Sequence, residues 1–210
     1  MTRVLIADDH AIVRRGLEQI IVDEAGSWEI GEAATADDVL RQVRNAAWDV
    51  VVLDISLPDR NGLDLVAEIR AFRPALPVLI LSMHPEGQYA LRSLKVGAAG
   101  YINKESAPTE LVEALRRVIG GGRYVSAAVA ETLADVALGT GHTALHEGLS
   151  NREFTVLVGL GQGKAVGELA AELGLSVKTI STYRTRVLDK MGLQNNADLT
   201  RYCLKHTLID

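Results

Sequence analysis

The residues of this chain best suited to chemistry are carboxylates that directly follow apolar segments. Residues 50–53 are valine and leucine and are followed by Asp54, and the apolar residues 4–7 are followed by Asp8 and Asp9. Short apolar runs of this kind are typical of buried parallel strands, whose carboxyl ends share one crevice in an open α/β sheet. The sequence therefore predicts that three carboxylates lie together at one edge of a sheet.

This group of acids predicts phosphoryl chemistry at Asp54. Neighbouring carboxylates repel one another, and a hard divalent cation such as Mg²⁺ relieves that repulsion by accepting their oxygens. Lys104 follows another apolar strand; its ammonium and a cation held by Asp8 and Asp9 would neutralise phosphoryl oxygens while an Asp54 oxygen attacks phosphorus. The expected product is an aspartyl phosphate. The competing interpretation is that Asp54 caps a helix beginning near Asn61.

Three further side chains are predicted to lie at or near the same crevice. Ser82 follows the apolar residues 77–81, so its hydroxyl could hydrogen-bond a phosphoryl oxygen on Asp54, although serine is also common in turns. Tyr101 lies within a strand and either covers the sheet edge or is a two-position ring coupled to Ser82. His10 is expected to be an exposed loop or first-turn residue rather than one that tunes a metal.

The elements that must position these residues alternate between strand and helix. Strands are predicted over residues 1–7, 28–33, 49–53, 77–81 and 99–102, and helices over residues 11–22, 37–45, 61–70, 88–96 and a segment capped by Ser106. Five such repeats predict a flavodoxin-like, doubly wound sheet of five parallel strands. A run of three glycines ends the last helix, so the first domain is expected to span residues 1–120.

Composition limits the class of protein. The chain has 210 residues, of which 48% are hydrophobic and 23% charged, as in an ordinary globular protein with room for two modest cores. No apolar run approaches the ~20 residues that a membrane helix needs, so a cytoplasmic protein is expected. The single cysteine, Cys203, is expected to be a small core residue. The net charge of −5 is uneven, because residues 149–210 carry eight Lys and Arg against six Asp and Glu.

Residues 121–148 are predicted to be a linker that contains one helix. Residues 125–138 repeat Ala, Val and Leu at helical spacing, and a glycine-rich stretch begins at Gly139. Such a connector would let the two halves of the chain reorient. His142 and His146 have a spacing that suits a metal site on a helix, but a glycine-rich linker is a poor platform, and we expect no metal there.

Residues 149–210 are predicted to form a second, all-α domain that contains a helix-turn-helix. Ser150 and Glu153 have the spacing of a capping box. Two helices are then expected over residues 166–173 and 177–191, joined by a short turn that contains Gly174, which is the helix-turn-helix pattern.

The second of these helices has one apolar face and one polar face. Ile180, Val187 and Met191 recur at helical spacing. Hydroxyls and cations occupy the remaining surface, which would suit a DNA major groove, with cations on phosphates and hydroxyls near base edges. The alternative is an ordinary solvated helix face. The predicted DNA contacts are Lys178, Thr179, Ser181, Thr182, Arg184, Thr185, Arg186 and Lys190.

These motifs together resemble a known family over essentially the full chain. The strand-end residues stand as in a CheY-like receiver, and residues 149–209 resemble a LuxR-type helix-turn-helix, a combination found in two-component response regulators of the NarL/FixJ subfamily. The most specific motifs are residues 5–10 (LIADDH), 54–58 (DISLP), 97–101 (GAAGY) and 175–180 (LSVKTI). Gly159, Gly161 and Gly167 fall within helices, and Arg184 takes a position that is often apolar in the family.

The resemblance implies roles for individual residues. Asp9 and Asp54 would ligate Mg²⁺ directly, Asp8 partly through water and Ser56 through its backbone carbonyl, while Ser82 and Tyr101 would form a switch pair. It also implies that a histidine kinase or a phosphotransfer protein supplies the phosphoryl group, that the modified protein dimerises, and that it binds double-stranded DNA and regulates transcription. No enzyme activity beyond slow self-dephosphorylation is expected.

Two other classes of function fit the same residues less well. A magnesium-dependent hydrolase could use Asp54 as its nucleophile, but phosphatases of the haloacid dehalogenase type carry a second Asp two residues later, where this chain has Ser56. The other class is a protein-binding switch whose C-terminal domain has lost its affinity for DNA.

Overall fold

The structure is a computed structural model that describes residues 1–25, 28–83, 86–137 and 144–209. Its backbone divides into two compact units, residues 1–133 and 134–210. In the first unit, strands and helices alternate as β1 Arg3–Ala7, α1 Ala11–Ala25, β2 Glu29–Ala33, α2 Ala36–Asn45, β3 Val50–Asp54, α3 Gly62–Phe72, β4 Val78–Ser82, α4 Glu86–Lys95, β5 Gly100–Asn103 and α5 Ala107–Ile119. Helix α6, Ala127–Ala137, follows and contains the division between the two units.

The five strands form one parallel sheet in the order β2-β1-β3-β4-β5. Its central strands β3 and β4 are buried at every residue, which explains why their sequences are continuously apolar rather than alternating. Helices α1 and α5 pack together against one face of the sheet. The predicted flavodoxin-like sheet is confirmed, and the order of its strands places β1, β3 and β5 so that their carboxyl ends face the same crevice.

Two capping residues differ from the sequence prediction. Ser106 does not cap α5 through its side chain; its hydroxyl instead donates to the Asn103 carbonyl at 3.2 Å. Asn61 is the N-cap of α3 and accepts from the Leu63 N–H at 2.9 Å. The capping interpretation of Asp54 is therefore wrong, since Asn61 performs that function. Among the described helices, none is long and apolar enough to cross a membrane.

Gly62 lets α3 start directly against the end of β3. A Cβ built on Gly62 would lie 2.8 Å from Ile55 Cα and closer still to the Asp54 carbonyl oxygen. We expect Gly62→Ala to destabilise the first unit by about 1–3 kcal/mol, because backbone atoms must move to accept the methyl group. Gly16→Ala in α1 is the matched control: a Cβ there has no neighbour within 4 Å, so a gain of about 0.5–1 kcal/mol is expected.

Urea unfolding followed by tryptophan fluorescence measures both changes, because Trp28 and Trp48 both belong to the first unit. Equal midpoints for the Gly62→Ala variant and the unsubstituted protein would contradict the steric account.

After α5 the chain returns to the sheet at Tyr124. The Tyr124 N–H donates to the Ala99 carbonyl at 3.1 Å, and the Tyr124 carbonyl accepts from the Tyr101 N–H at 3.0 Å. Its hydroxyl donates to Glu110 Oε2 at 3.2 Å. A short parallel bridge to Gly100 therefore covers part of the exposed edge of β5.

After the end of α6, the described part of the second unit consists of a 3₁₀ turn and four helices. These are Leu145–Gly148 (3₁₀), α7 Asn151–Gly161, α8 Val166–Glu172, α9 Val177–Met191 and α10 Asn196–Lys205. The predicted helix-turn-helix corresponds to α8 and α9. Helix α10 was not predicted as a separate element, although its signal is present: Asn195 caps it by accepting from the Asp198 N–H at 3.0 Å.

Close helix packing explains two of the three glycines that lie within helices of the second unit. A Cβ on Gly159 would lie 2.7 Å from Leu169 Cδ1, and one on Gly161 would lie 2.6 Å from Cys203 Sγ. Helices α8 and α10 therefore approach α7 where it lacks side chains. A Cβ on Gly167 would meet nothing within 4 Å, and no packing reason for that glycine is present.

The predicted domain boundaries at residues 120 and 148 fall on either side of the observed division between Leu133 and Ala134, and they stay predictions. The glycine-rich stretch around Gly139 and the predicted position of His142 lie outside the described residues.

Candidate functional site

The site at the carboxyl end of the sheet is organised around Lys104. Its Nζ lies 2.6 Å from Asp8 Oδ2 and 2.8 Å from Asp54 Oδ2. Both carboxylates are almost fully buried, at 1% and 3% exposure. The end of β1, the end of β3 and the loop after β5 therefore bring together one ammonium and two acids from distant parts of the chain.

Asp9 and His10 form the exposed side of this site. His10 Nδ1 lies 2.7 Å from Asp9 Oδ1 and 3.4 Å from Asp8 Oδ1, and its ring is 67% exposed. Ligand atoms of Asp8, Asp9 and His10 all lie within 4.8 Å of one another. The exposure predicted for His10 is present, but its ring also contacts both acids, which the sequence did not indicate.

The chemistry of these donors fits a hard divalent cation. A carboxylate oxygen of Asp8 and one of Asp9 lie within 4.8 Å of each other, and Asp8 Oδ2 has no hydrogen-bond partner among the described residues apart from the Lys104 ammonium. Buried carboxylate oxygens with so few donors are suited to a small cation with oxygen preference. Ser56 lies beside the site, where its N–H donates to Asp54 Oδ1 at 3.2 Å.

Burial and charge act against each other on the two central groups. Burial raises the pKa of Asp54, an effect that Lys104 opposes and Asp8 reinforces. Burial would lower the pKa of Lys104, but the negative charges of Asp54 and Asp8 outweigh it and raise that pKa above its usual value. The lysine therefore stays charged near neutral pH and holds one oxygen of Asp54 in a fixed direction.

Ser82 and Tyr101 contact each other at the end of the sheet. Both are fully buried, and the Ser82 side chain is close enough to act on the Tyr101 hydroxyl and lower its pKa. Burial raises the pKa of Tyr101 well above its usual value, so the hydroxyl stays protonated. The ring thus lies inside the protein rather than over the sheet edge. An inward ring is one of the two positions that the two-position interpretation requires.

Arg14 supports the site and was not predicted from the sequence. Its Nη1 donates to the Asp8 carbonyl at 2.7 Å, and its Nε lies 2.6 Å from Glu32 Oε2. Because Arg14 is an ordinary helical arginine six residues after Asp8, only the three-dimensional structure reveals that contact.

The hydroxyls predicted to face DNA are directed to the backbone of α9. Ser181 Oγ donates to the Val177 carbonyl at 2.9 Å, Thr182 Oγ1 to Lys178 at 3.0 Å and Thr185 Oγ1 to Ser181 at 3.1 Å. All three side chains are nevertheless exposed. In this arrangement their oxygens can accept hydrogen bonds from base amino groups, but their hydrogens are already used. Thr179 Oγ1 lies 2.8 Å from Ser176 Oγ at the start of the helix.

Two of the four cations predicted to contact DNA are bonded to neighbouring helices. Arg184 Nε donates to Asn196 Oδ1 at 2.6 Å, and Lys190 Nζ lies 2.7 Å from Glu153 Oε2. These contacts join α9 to α10 and α7. Lys178 and Arg186 are exposed and form no ion pair within the described residues, so they are the cations of α9 most available to a polyanion.

Glu153 joins the start of α7 to the end of α9. Its side chain is 4% exposed and accepts from the Ser150 N–H at 2.8 Å, in addition to Lys190. Burial would raise the pKa of Glu153, but hydrogen bonds from Lys190 and Ser150 outweigh it and lower that pKa. The capping box predicted from sequence is confirmed, and it is combined with an ion pair.

Glu153→Gln is expected to destabilise the second unit by about 1–3 kcal/mol near neutral pH, because the amide loses the charged hydrogen bonds. A lowered folded-state pKa stabilises the fold above the ordinary value of about 4.3, and this contribution is lost as the pH falls through the lowered value. Thermal unfolding followed by far-UV circular dichroism should therefore show a gap between variant and unsubstituted protein that narrows below about pH 4. A gap that does not change with pH across the acid range would contradict this.

His146 takes a structural position. Its ring is 1% exposed, Nδ1 lies 2.9 Å from the Tyr202 hydroxyl, and the ring packs against Phe154 and His206. It therefore attaches the 3₁₀ turn to α7 and α10.

Fold and site together define a receiver domain followed by a helix-turn-helix domain. The family model of the response regulator receiver domain matches residues 4–116, and that of the bacterial regulatory proteins of the luxR family matches residues 147–203. The chain belongs to the response regulators, and specifically to those that join a receiver to a LuxR-type DNA-binding domain and regulate transcription.

Two response regulators that are similar along the whole chain support this assignment. The response regulator UvrY of Escherichia coli K12 is 33% identical over 209 residues, which cover 99% of this chain and 96% of UvrY. The response regulator GacA of Pseudomonas aeruginosa is 30% identical over 211 residues, covering 100% of this chain and 99% of GacA.

Solved structures of similar proteins include RcsB of Salmonella enterica serovar Typhimurium, bound to the promoter rprA in the presence of the phosphomimetic BeF₃⁻. It has 25% identity and a TM-score of 0.65, and the match covers 96% of this chain and 97% of that one. A second RcsB–DNA complex has 26% identity and a TM-score of 0.60, with 97% and 98% covered.

Proposed function

We propose that Asp54 accepts a phosphoryl group from a histidine kinase and that the aspartyl phosphate controls binding of the second unit to promoter DNA. The observation that carries this proposal is the buried arrangement of Asp54, Asp8 and Lys104, in which one ammonium lies within 2.8 Å of both acids. Such a site suits phosphoryl transfer, which depends mainly on positioning and on neutralising charge.

Mg²⁺ would be held by Asp8, Asp9 and Asp54, with the Ser56 carbonyl as a further ligand, and would supply positive charge to the phosphoryl oxygens. The other functions belong to side chains of the protein. Asp54 provides the attacking oxygen, and Lys104 and the Ser56 N–H already orient its carboxylate. Lys104 then contacts the phosphoryl group, which carries more negative charge than the carboxylate did.

The signal is proposed to pass through Ser82 and Tyr101. A phosphoryl oxygen on Asp54 attracts the Ser82 hydroxyl, and the proximity of the Ser82 side chain to the Tyr101 hydroxyl makes the tyrosine ring sensitive to that movement. A coupling of ~1–3 kcal/mol would change DNA affinity by about 5- to 150-fold. RcsB has been observed as two dimers bound to two parallel DNAs, and we propose that this chain also pairs on DNA half-sites.

The remaining chemistry is slow hydrolysis of the aspartyl phosphate. Ser56 stands two residues after Asp54, and its hydroxyl is not an acid at neutral pH. We therefore propose a phosphoacceptor with slow self-dephosphorylation rather than a phosphatase with sustained turnover. A cytoplasmic location stays a prediction.

The test uses the full chain and DNA selected from random oligonucleotides with and without acetyl phosphate. With Mg²⁺ present, acetyl phosphate should tighten DNA binding about 5- to 150-fold, and removal of the metal with EDTA should abolish the change without weakening the unphosphorylated complex. Affinity that is the same with and without phosphodonor and metal would contradict the proposal. Absence of binding to any DNA would favour the protein-binding switch, and sustained hydrolysis of phosphomonoesters would favour the hydrolase.

A further inference from the structure

The loop that follows Asp54 is attached to the backbone at the start of α2 by the carboxylate of Asp59. Asp59 Oδ1 accepts from the Ala36 N–H at 2.8 Å, and Asp59 Oδ2 accepts from the Asp37 N–H at 3.0 Å. These are the first two N–H groups of α2, which have no partner inside the helix. The side chain of Thr35, the N-cap residue, accepts from the third N–H group, that of Asp38, at 3.2 Å.

Asp59 is 22 and 23 residues away in sequence from the groups it binds, so these bonds are not local capping. They hold the loop between β3 and α3 against a different helix. The adjacent Arg60 adds two ion pairs, from Nη2 to Asp37 at 3.1 Å and from Nη1 to Glu68 of α3 at 2.8 Å. The middle of the loop is therefore attached to two helices.

The ends of the same loop carry the groups of the candidate site. Ser56 is paired with Asn61 in an antiparallel bridge, and the Gly62 N–H donates to the Ile55 carbonyl at 2.8 Å. The Ser56 N–H in turn donates to Asp54 Oδ1. Movement of the loop would therefore change both the direction of the Asp54 carboxylate and the position of the Ser56 carbonyl.

We propose that Asp59 is a positioning residue, which fixes this loop so that Ser56 and Asp54 present their oxygens to the divalent cation. This inference rests on the proposed function, since it concerns the same site. Asp59 itself is exposed and acts only through the backbone of residues 55–58. Replacing Asp59 should therefore weaken cation binding and slow phosphorylation without abolishing the site.

The experiment measures the dissociation constant of Mn²⁺, used as a paramagnetic probe, by electron paramagnetic resonance on the full chain. Asp59→Ala removes both acceptor oxygens and should weaken Mn²⁺ binding about three- to tenfold. This is at or below the smallest effect usually seen when a residue that orients a metal ligand is removed. Asp59→Asn keeps one acceptor oxygen and should lie between Asp59→Ala and the unsubstituted protein. The initial rate of phosphorylation by acetyl phosphate at saturating Mg²⁺ should follow the same order.

Two matched controls separate positioning from stability and from charge. Thr35→Ala removes an N-cap bond from the same helix but leaves the loop attached, and Asp38→Asn removes a neighbouring charge of α2 that pairs with Arg41 rather than with the loop. Both should bind Mn²⁺ within twofold of the unsubstituted protein.

Equal Mn²⁺ affinity in Asp59→Ala and the unsubstituted protein would overturn this inference alone, as would equal weakening by either control. An unsubstituted protein that binds no Mn²⁺ would overturn the proposed function, and this inference with it.

Discussion

Replacing Asp54 with Asn is expected to abolish the response of DNA binding to a phosphodonor. The amide has nearly the shape of the carboxylate, and its one oxygen can still accept either from Lys104 or from the Ser56 N–H, which lie 2.8 and 3.2 Å from the two native oxygens. It is a poor nucleophile toward phosphorus, so no acyl phosphate forms. Because burial already raises the pKa of Asp54, loss of the charge should not destabilise the first unit.

The measurement is a pair of DNA-binding isotherms, with and without acetyl phosphate and Mg²⁺, for the Asp54→Asn variant and the unsubstituted chain. The variant should bind with one affinity, close to that of the unphosphorylated protein. Asp9→Asn is an informative companion, since it retains Asp54 but removes one of the proposed Mg²⁺ ligands; it should respond only at higher Mg²⁺ concentrations. A full phosphodonor response in Asp54→Asn would show that the mechanism is wrong.

Removing Lys178 and Arg186 together is expected to have the second largest effect. These two cations of α9 are exposed and form no ion pair within the described residues, unlike Lys190, whose ammonium contacts Glu153 at 2.7 Å. A plot of log affinity against log salt concentration has a slope whose magnitude grows by about 0.9 for each phosphate contact. If Lys178 and Arg186 each contact a phosphate, the magnitude of this slope should fall by about 2 in the double alanine variant. Affinity near 0.1 M salt should fall about tenfold or more.

The matched control removes the same charge from the first unit through Arg73→Ala and Arg123→Ala, which are both exposed. This control should leave the salt slope unchanged. Lys190→Ala should instead lower the thermal stability of the second unit, because it leaves buried Glu153 without its cation. A slope unaffected by the loss of Lys178 and Arg186 would exclude this face of α9 as the DNA-contacting surface.

Much of the fold could be predicted from sequence because its signals are local. Each buried strand is a short apolar run that ends at a polar residue, and the carboxyl ends of parallel strands share a crevice, so the sequence alone predicts that Asp8, Asp54 and Lys104 meet. Helix α10 was not predicted because it lies beyond the helix-turn-helix pattern, although Asn195 and Asp198 have ordinary capping spacing.

The contacts that were not predictable join residues far apart in sequence or of ordinary type. Arg14 and Asp59 are surface residue types with no special spacing, yet one binds the backbone of Asp8 and the other the start of α2. Arg184 was unusual for its position, and its contact with Asn196 supplies a physical reason. Such partners depend on how helices cross, which periodicity does not determine.

The most direct test of the central claim identifies the residue that carries phosphate. The full chain, treated with acetyl phosphate and Mg²⁺, is reduced with borohydride, which converts an aspartyl phosphate to homoserine, and is then analysed by peptide mass spectrometry. We predict homoserine at position 54 and an unchanged Asp at positions 8 and 9. Homoserine at another position, or none at position 54 under conditions where DNA binding responds to the phosphodonor, would contradict the account.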